Sequence, residues 1–509
     1  METLSIFAGG FAELADPAVL AFMVVGFLVG TFFGAMPGLT SVLAIALLLP
    51  ITYTIDVVPA LVMSASIFMA GMYSGSITAT TINIPGAPSS MMTAIEGNAL
   101  MRRGKGANAL GHAALGSMIG GAIGAVLLMA FMPLAAEVSL LIRTPGKFSL
   151  VLFALVVIII VDKGAIAKGL VATLMGIMLA TIGIDVLQPV PRFNFGTETL
   201  VQGIDIMPIV IGAFAVSEVL IQAQNWQSSL GATLDKARAI PIRRRDFLPP
   251  LSEIREIGLF TYLKSAVIGY GIGILPGAGG SMAAFVSYAM ARGSSKTPEA
   301  YGKGSRQGIA AAEAGNNAMC GGAFVPMLMF GIPGDPTTAV VLGVLVINGL
   351  QPGPRLLDGQ AELLAPMFAS LLVSALVLIP LTLFLFGPWF VRIVSIPKGL
   401  LYSAIAVVAL VGSYVATYSV FQMSLAVIFG VLAFFMRKLG YSTVSLLLGF
   451  ILGPDLEQYL RRALSLSDGN PLVFLTSLDS LFFLVLTAIF VYLILFRRKA
   501  AGKTASAQA

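Results

Sequence analysis

Hydroxyl side chains gather after four Pro-Gly steps in an otherwise oily chain. Thr40 and Ser41 follow Pro37-Gly38. Ser89, Ser90 and Thr93 follow Pro85-Gly86, Ser281 follows Pro276-Gly277, and Thr337 and Thr338 follow Pro333-Gly334. Proline removes a backbone donor and clashes with the preceding turn, and glycine loosens the chain. Each step therefore ends one helix and lets another begin. A new helix start offers free N–H groups and the positive end of a dipole of about half a charge. Neighbouring hydroxyls add hydrogen bonds. Convergent starts of this kind would bind an anion without a fixed lysine, which suits release as well as capture. The residues read as substrate-binding are Pro37, Gly38, Thr40, Ser41, Asn83, Gly86, Ser89, Ser90, Thr93, Gly277, Gly279, Ser281, Gly334, Thr337 and Thr338.

A second constellation is "AEAGNNAMCGG", Ala312–Gly322. It places Glu313, Asn316 and Asn317 in an apolar segment, with Glu313 and Asn317 sharing a helix face. A carboxylate at membrane depth is expensive and usually functional. With the Asn carbonyls it could ligate a cation, or it could exchange a proton. The alternative is a helix-terminal Glu at the cytoplasmic boundary. Asn83 and Asp335 have capping as their alternative. Glu96 reads as interfacial, His112 as structural, and Cys320 and "GSMIGGAIGA" (Gly116–Ala125) as small-residue packing.

Elements long enough to hold these groups must be membrane helices. The chain has 509 residues, 57% hydrophobic and 11% charged, with mean hydropathy +0.94. A soluble chain carries roughly 25% charged residues, so this is a polytopic membrane protein. Its net charge of +6 reports topology rather than nucleic-acid binding. One cysteine and one histidine exclude an internal disulfide and a Cys/His metal site. The acidic start "METLSIFAGGFAELADP" carries no sign of a cleavable signal peptide.

Uninterrupted spans are expected at 107–134, 148–161, 169–187, 204–220, 361–390, 400–415, 421–436 and 473–495, and Pro-Gly-broken ones at 19–50, 58–95, 257–290 and 308–350. The two halves repeat each other. Each has two Pro-Gly breaks, then a proline motif, "RTPGKFS" (Arg143–Ser149) or "SIPKGLL" (Ser395–Leu401). Between its breaks the second half has the basic loop Ala291–Arg306, whereas Pro50–Pro59 has no Lys or Arg. After the second break the pattern swaps: "MRRGKG" (Met101–Gly106) faces a stretch with only Arg355. The positive-inside rule then puts matched loops on opposite sides. The expectation is an all-α protein of two inverted repeats, 1–224 and 257–471, with the first break of each bent into a re-entrant hairpin; the alternative, two short crossing helices, would spoil the charge assignment. A basic cytoplasmic linker spans 225–256 and contains "RRRDFLPP" (Arg243–Pro250). An extra helix spans 472–496 and a cytoplasmic tail 497–509, and the N-terminus is external.

Three long stretches carry a family resemblance. "GTFFGAMPGLTSVLAIALLLP", "GMYSGSITATTINIPGAPSSMMTAIEGNALMRRGKGANALG" and the segment from "GIGILPGAGGS" through "AEAGNNAMCGG" to "FGIPGDPTTA" resemble the large membrane subunit of the tripartite tricarboxylate transporters. The likeness runs from about Val19 to Pro354, with mild departures at Ser74, Glu96, Ala312 and Gly315. It implies a multi-pass secondary transporter of the bacterial inner membrane. It also implies a small four-helix membrane subunit and a periplasmic solute-binding protein as partners. Substrates would be citrate, other di- or tricarboxylates, or aromatic carboxylates, with Na⁺ or H⁺ as coupling ion and no cofactor.

The combined expectation is carboxylate import by an elevator-like shift of the domain holding the four breaks. The rivals are an anion channel or exporter, which would need no coupling ion or binding protein, and a membrane enzyme. For an enzyme the chain offers no nucleophile–base pair or metal motif.

Overall fold

The computed structural model describes residues 2–161, 166–224, 244–393 and 398–506. Most of the linker with Arg243, residues 395–397 of the second proline motif and the last three residues of the tail lie outside them. The fold is all-α. Its strands among the described residues form one short antiparallel hairpin, Gly183–Ile184 with Pro191–Arg192. Six described helices are long and apolar enough to cross a membrane: Pro17–Ala35, Val57–Ile82, Gly106–Leu141, Ile206–Gln224, Gln360–Trp389 and Val420–Lys438.

All four Pro-Gly steps interrupt helices. Pro17–Ala35 gives way to Ser41–Thr52, and Val57–Ile82 to Met91–Met101 through the 3₁₀ turn Pro88–Ser90. In the second half Leu259–Ile274 gives way to Gly279–Gly293, and Arg306–Phe330 to Pro336–Ile347. Matched positions take matched backbones. Gly38 and Gly277 have φ of 91° and 71°. Asn83 and Gly331 are left-handed C-caps with φ of 59° and 66°. Asparagine and glycine tolerate this region better than other residues, so both long helices end the same way.

Packing relies on small residues, because lipid supplies no hydrophobic force between helices and van der Waals contact must serve. A Cβ added at Gly120 or Gly124 of helix 106–141 would lie 2.1 or 2.5 Å from the Ala314 or Ala318 carbonyl oxygen of helix 306–330. Helix 259–274 approaches the other flank of helix 306–330, and helix 17–35 lies along helix 57–82 in the same manner. Helices 57–82 and 306–330 are buried over nearly their whole length. They meet at Phe68 and Phe324, edge to face with centroids 5.9 Å apart.

Two elements escaped the hydrophobic-run reading. Glu2–Leu14 packs on helix Pro354–Val373. Thr443–Leu466 is a helix although Pro454, Asp455, Glu457, Arg461 and Arg462 break its apolar run. The hairpin 183–192 is tied to this helix by a network of four ion pairs, two of which, Arg192–Glu457 and Arg461–Asp185, cross between them. Arg192 meets Asp185 at 3.1 Å and Glu457 at 2.7 Å, and Arg461 meets Asp185 at 2.7 Å and Glu457 at 2.9 Å.

Candidate functional site

A cavity of about 690 Å³ opens where the breaks converge. Its wall includes Gly38, Thr40 and Ser41 from the first break, Ser89 from the second, Gly277, Gly279 and Ser281 from the third, and Thr337 from the fourth. The two halves touch inside it through the Ser41 and Thr337 hydroxyls, 3.1 Å apart. The breaks of the second half bond to each other, Gly279 N donating to the Gly334 carbonyl at 3.3 Å. In the first half Gly86 lies so close to Gly34 that a Cβ on it would be 2.1 Å from the Gly34 carbonyl oxygen.

Ser89 is buried and its hydroxyl has no hydrogen-bond partner among the described residues. The other residues named from sequence do not line the cavity. Pro37 and Gly86 shape the turns. Thr338 caps its own helix, its Oγ1 accepting from Asp335 N at 3.0 Å. Ser90 is buried behind Ser89, beside Gly75. Asn83 is exposed at its helix end.

Glu313, Asn316 and Asn317 are fully buried one layer from the cavity. Thr93 and Ser117 both donate to the Glu313 carboxylate, Ser117 at 3.1 Å. Asn316 Nδ2 donates to the Met72 carbonyl at 3.1 Å, and Asn317 Nδ2 to the Met69 carbonyl at 3.2 Å. Both Asn side-chain oxygens lack a partner among the described residues. Asn316 Oδ1 faces the wall itself, 2.7 Å from where a Gly280 Cβ would stand. The helix-terminal alternative for Glu313 fails on position, since the residue lies two turns inside helix 306–330 and is 0% exposed.

The sequence reading missed three things here. Glu218 and Arg437 line the cavity and pair at 2.7 Å, with Gln222 Nε2 also donating to Glu218 at 2.8 Å. An acid inside the apolar span 204–220 was the available signal for Glu218. Glu96 is wholly buried rather than interfacial. It accepts from Tyr288 Oη at 2.6 Å, Gly302 N at 2.5 Å, Gly304 N at 2.7 Å and Ser305 N at 2.7 Å. It thus anchors the basic loop of the second half to the first. Glu253 makes a similar knot, with Asn108 at 2.8 Å, His112 at 2.9 Å and Arg306 at 2.9 Å. Burial opposes charge on Glu253, but the Asn108 and His112 bonds and the Arg306 charge outweigh it and hold its carboxyl below the usual range.

Broken helices around a central cavity, with a buried polar cluster behind it, define a multi-pass membrane transporter. The chain belongs to the Tripartite tricarboxylate transporter TctA family, which matches residues 20–448. It is therefore a permease subunit of the tripartite type. A relative from Agrobacterium vitis, described as an uncharacterized 52.8 kDa protein in the TAR-I ttuC' 3'region, is 35% identical over 477 residues, 94% of this chain and 93% of that one. A second, described as an uncharacterized protein in the TAR-II ttuC' 3'region of the same organism, is 37% identical over 206 residues, 40% of this chain and 85% of that one. No solved structure matches the chain.

Proposed function

We propose that this subunit imports carboxylate anions across the bacterial inner membrane by cation symport. The observation that carries the reading is the convergence of the four hydroxyl-bearing breaks on one cavity. Free amides and small hydroxyls there supply donors to a carboxylate without a permanent counter-charge. Glu313, Asn316 and Asn317 form the coupling cluster, close enough to sense the wall through Gly280 and able to take Na⁺ on oxygen ligands or to carry H⁺. The two halves, 1–224 and 257–471, act as inverted repeats, and the domain with the breaks shifts past the rest in an elevator stroke. A four-helix membrane subunit and a periplasmic binding protein complete the system. The N-terminus is periplasmic and the C-terminus cytoplasmic.

The test is uptake of labelled citrate, succinate and terephthalate by cells carrying the subunit with its partner genes, with and without a Na⁺ or pH gradient. Glu313→Gln is expected to insert normally and to flatten the ion dependence of uptake. Flux that needs neither gradient nor binding protein would replace the symporter with an anion channel. Unchanged coupling in the variant would move the cation site elsewhere.

A further inference from the structure

The pairing of the two halves leaves one connection without a counterpart. Gly176 of helix Ile166–Ala180 packs on helix Thr443–Leu466, where a Cβ would lie 2.1 Å from the Leu446 carbonyl oxygen. Gly212 of helix Ile206–Gln224 packs on helix Val420–Lys438 in the same manner, 2.5 Å from the Ala426 carbonyl oxygen. One packing is thus made twice, and it matches 166–180 with 420–438 and 206–224 with 443–466. In the second half residues 439–442 join the matched helices. In the first half the join is 181–205, which carries the hairpin 183–192. A single span separates 181–205 from the basic linker. With that linker cytoplasmic, the long connection lies on the periplasmic side and its short counterpart on the cytoplasmic side.

The connection is held in place. Its base is the ion-pair network with Glu457 and Arg461, and the Asp185 carboxylate also accepts from Leu187 N and Gln188 N, each at 2.8 Å. Beyond that base it shows apolar side chains to water. Phe193 and Phe195 are 60% and 76% exposed, and each has left-handed backbone with φ of 48°. Bulky residues rarely adopt that conformation. Burial does not compensate them for it, since both rings stand in the open. Ile184, Val186 and Val190 of the same hairpin are exposed as well. The charges of 181–205 are the acids Asp185, Glu198 and Asp205 against the single base Arg192, a net charge of −2. Asp185 and Arg192 belong to the network and Asp205 caps Met207 N at 2.9 Å, which leaves Glu198 exposed at the surface. Lipid phosphates carry the same sign as this loop and do not attract it. A protein surface with an apolar pocket and a basic rim complements both the rings and the charge, in the way that aromatic anchors seat at the centre of an interface.

We propose that the connection 181–205 docks the soluble periplasmic binding protein, with Phe193 and Phe195 as its anchors and Glu198 facing basic side chains of that partner. This rests on the binding-protein reading above and names where on this subunit the partner sits. It also accounts for the one-sidedness: a protein that delivers substrate from outside needs a platform on that face alone. The ion pairs at the base hold the two rings ready, so little order is lost when the partner arrives.

The test is the affinity of the binding protein encoded with this subunit for the purified full-length permease, assembled with its small membrane subunit. Phe193→Ser and Phe195→Ser are each expected to weaken it about tenfold or more. Glu198→Gln is expected to weaken it about threefold at low ionic strength and to have little effect at high ionic strength. A photo-crosslinking phenylalanine analogue at position 195 keeps the ring and the fold, and is expected to capture the binding protein. The inference is overturned if both serine variants bind as tightly as wild type, or if the analogue crosslinks only to lipid or to the small subunit while the binding protein is bound. Wild type that binds no binding protein at all would remove the binding-protein reading itself, and this inference with it.

Discussion

Replacing Glu96 by glutamine should release the basic loop of the second half. The carboxylate takes two donors on each oxygen, Tyr288 Oη and Gly302 N on Oε1, Gly304 N and Ser305 N on Oε2. Glutamine offers one oxygen and one NH₂, so in either orientation two donors face a donor. A bond to a charged group is worth about 1.5–3 kcal/mol, which makes the loss about 3–6 kcal/mol. Gly302 is exposed, so water can satisfy its amide and the lower figure applies. About 3 kcal/mol is roughly a hundredfold rise in the population of the detached loop. Trypsin reads this at Lys296 and Lys303, both exposed and both in that loop. Cleavage there in detergent is expected to accelerate about a hundredfold in Glu96→Gln, and about tenfold in Tyr288→Phe, which removes a single donor. Equal cleavage of wild type and Glu96→Gln would show that the loop is held by other contacts and that the four bonds carry little energy.

Three further outcomes are expected. Ser89→Ala and Thr337→Ala each remove a wall hydroxyl and should weaken carboxylate binding about tenfold, by roughly 1.4 kcal/mol, whereas Thr338→Ala removes a cap and should lower thermal stability by about 1 kcal/mol with a smaller effect on affinity; calorimetry on the purified variants separates the two. Single cysteines in Pro50–Pro59 and Ala291–Arg306, placed in a Cys320→Ser background, should react with an impermeant thiol reagent from opposite faces, and labelling from one face would end the inverted-repeat reading. The Arg461 bond, helped by the Leu187 amide, holds the Asp185 carboxyl down to about 2. Its folded value is below the ordinary one near 3.9, so its contribution is complete above about pH 4 and fades as pH falls toward 2. Amide protection in 183–192, taken relative to the intrinsic exchange rate at each pH, should then fall between pH 4 and pH 3 in wild type and vary less in Asp185→Asn.

The helix interruptions were legible because proline and glycine act through their own backbone, whatever surrounds them. All four were placed within a few residues for that reason. The same local logic misdirects at Asn83. Its side chain suggested a ligand, but its backbone conformation explains the residue: it ends a helix where Gly331 ends the matching one. Contacts between distant segments left no local trace. Glu218 and Arg437 lie 219 positions apart, and neither residue type alone announces a partner. Glu96 precedes a basic run, which gives it the look of a surface residue. Its burial follows from a loop 206 residues further along folding over it. Helix 443–466 was lost for a simpler reason, since five helix-interrupting or charged residues hide its apolar face.

The backbone seam along helix 306–330 has a consequence for how this protein can change over generations. At Gly120, Gly124, Gly269 and Gly273 even one methyl group would collide with main chain on the neighbouring helix, and main chain cannot be mutated out of the way. Those positions are closed to drift. The apolar part of the cavity wall, with Met72, Met91, Met282 and Phe285, is made of side chains whose exchange disturbs no backbone approach. Lineages can therefore remodel what the cavity accepts while inheriting the frame unaltered.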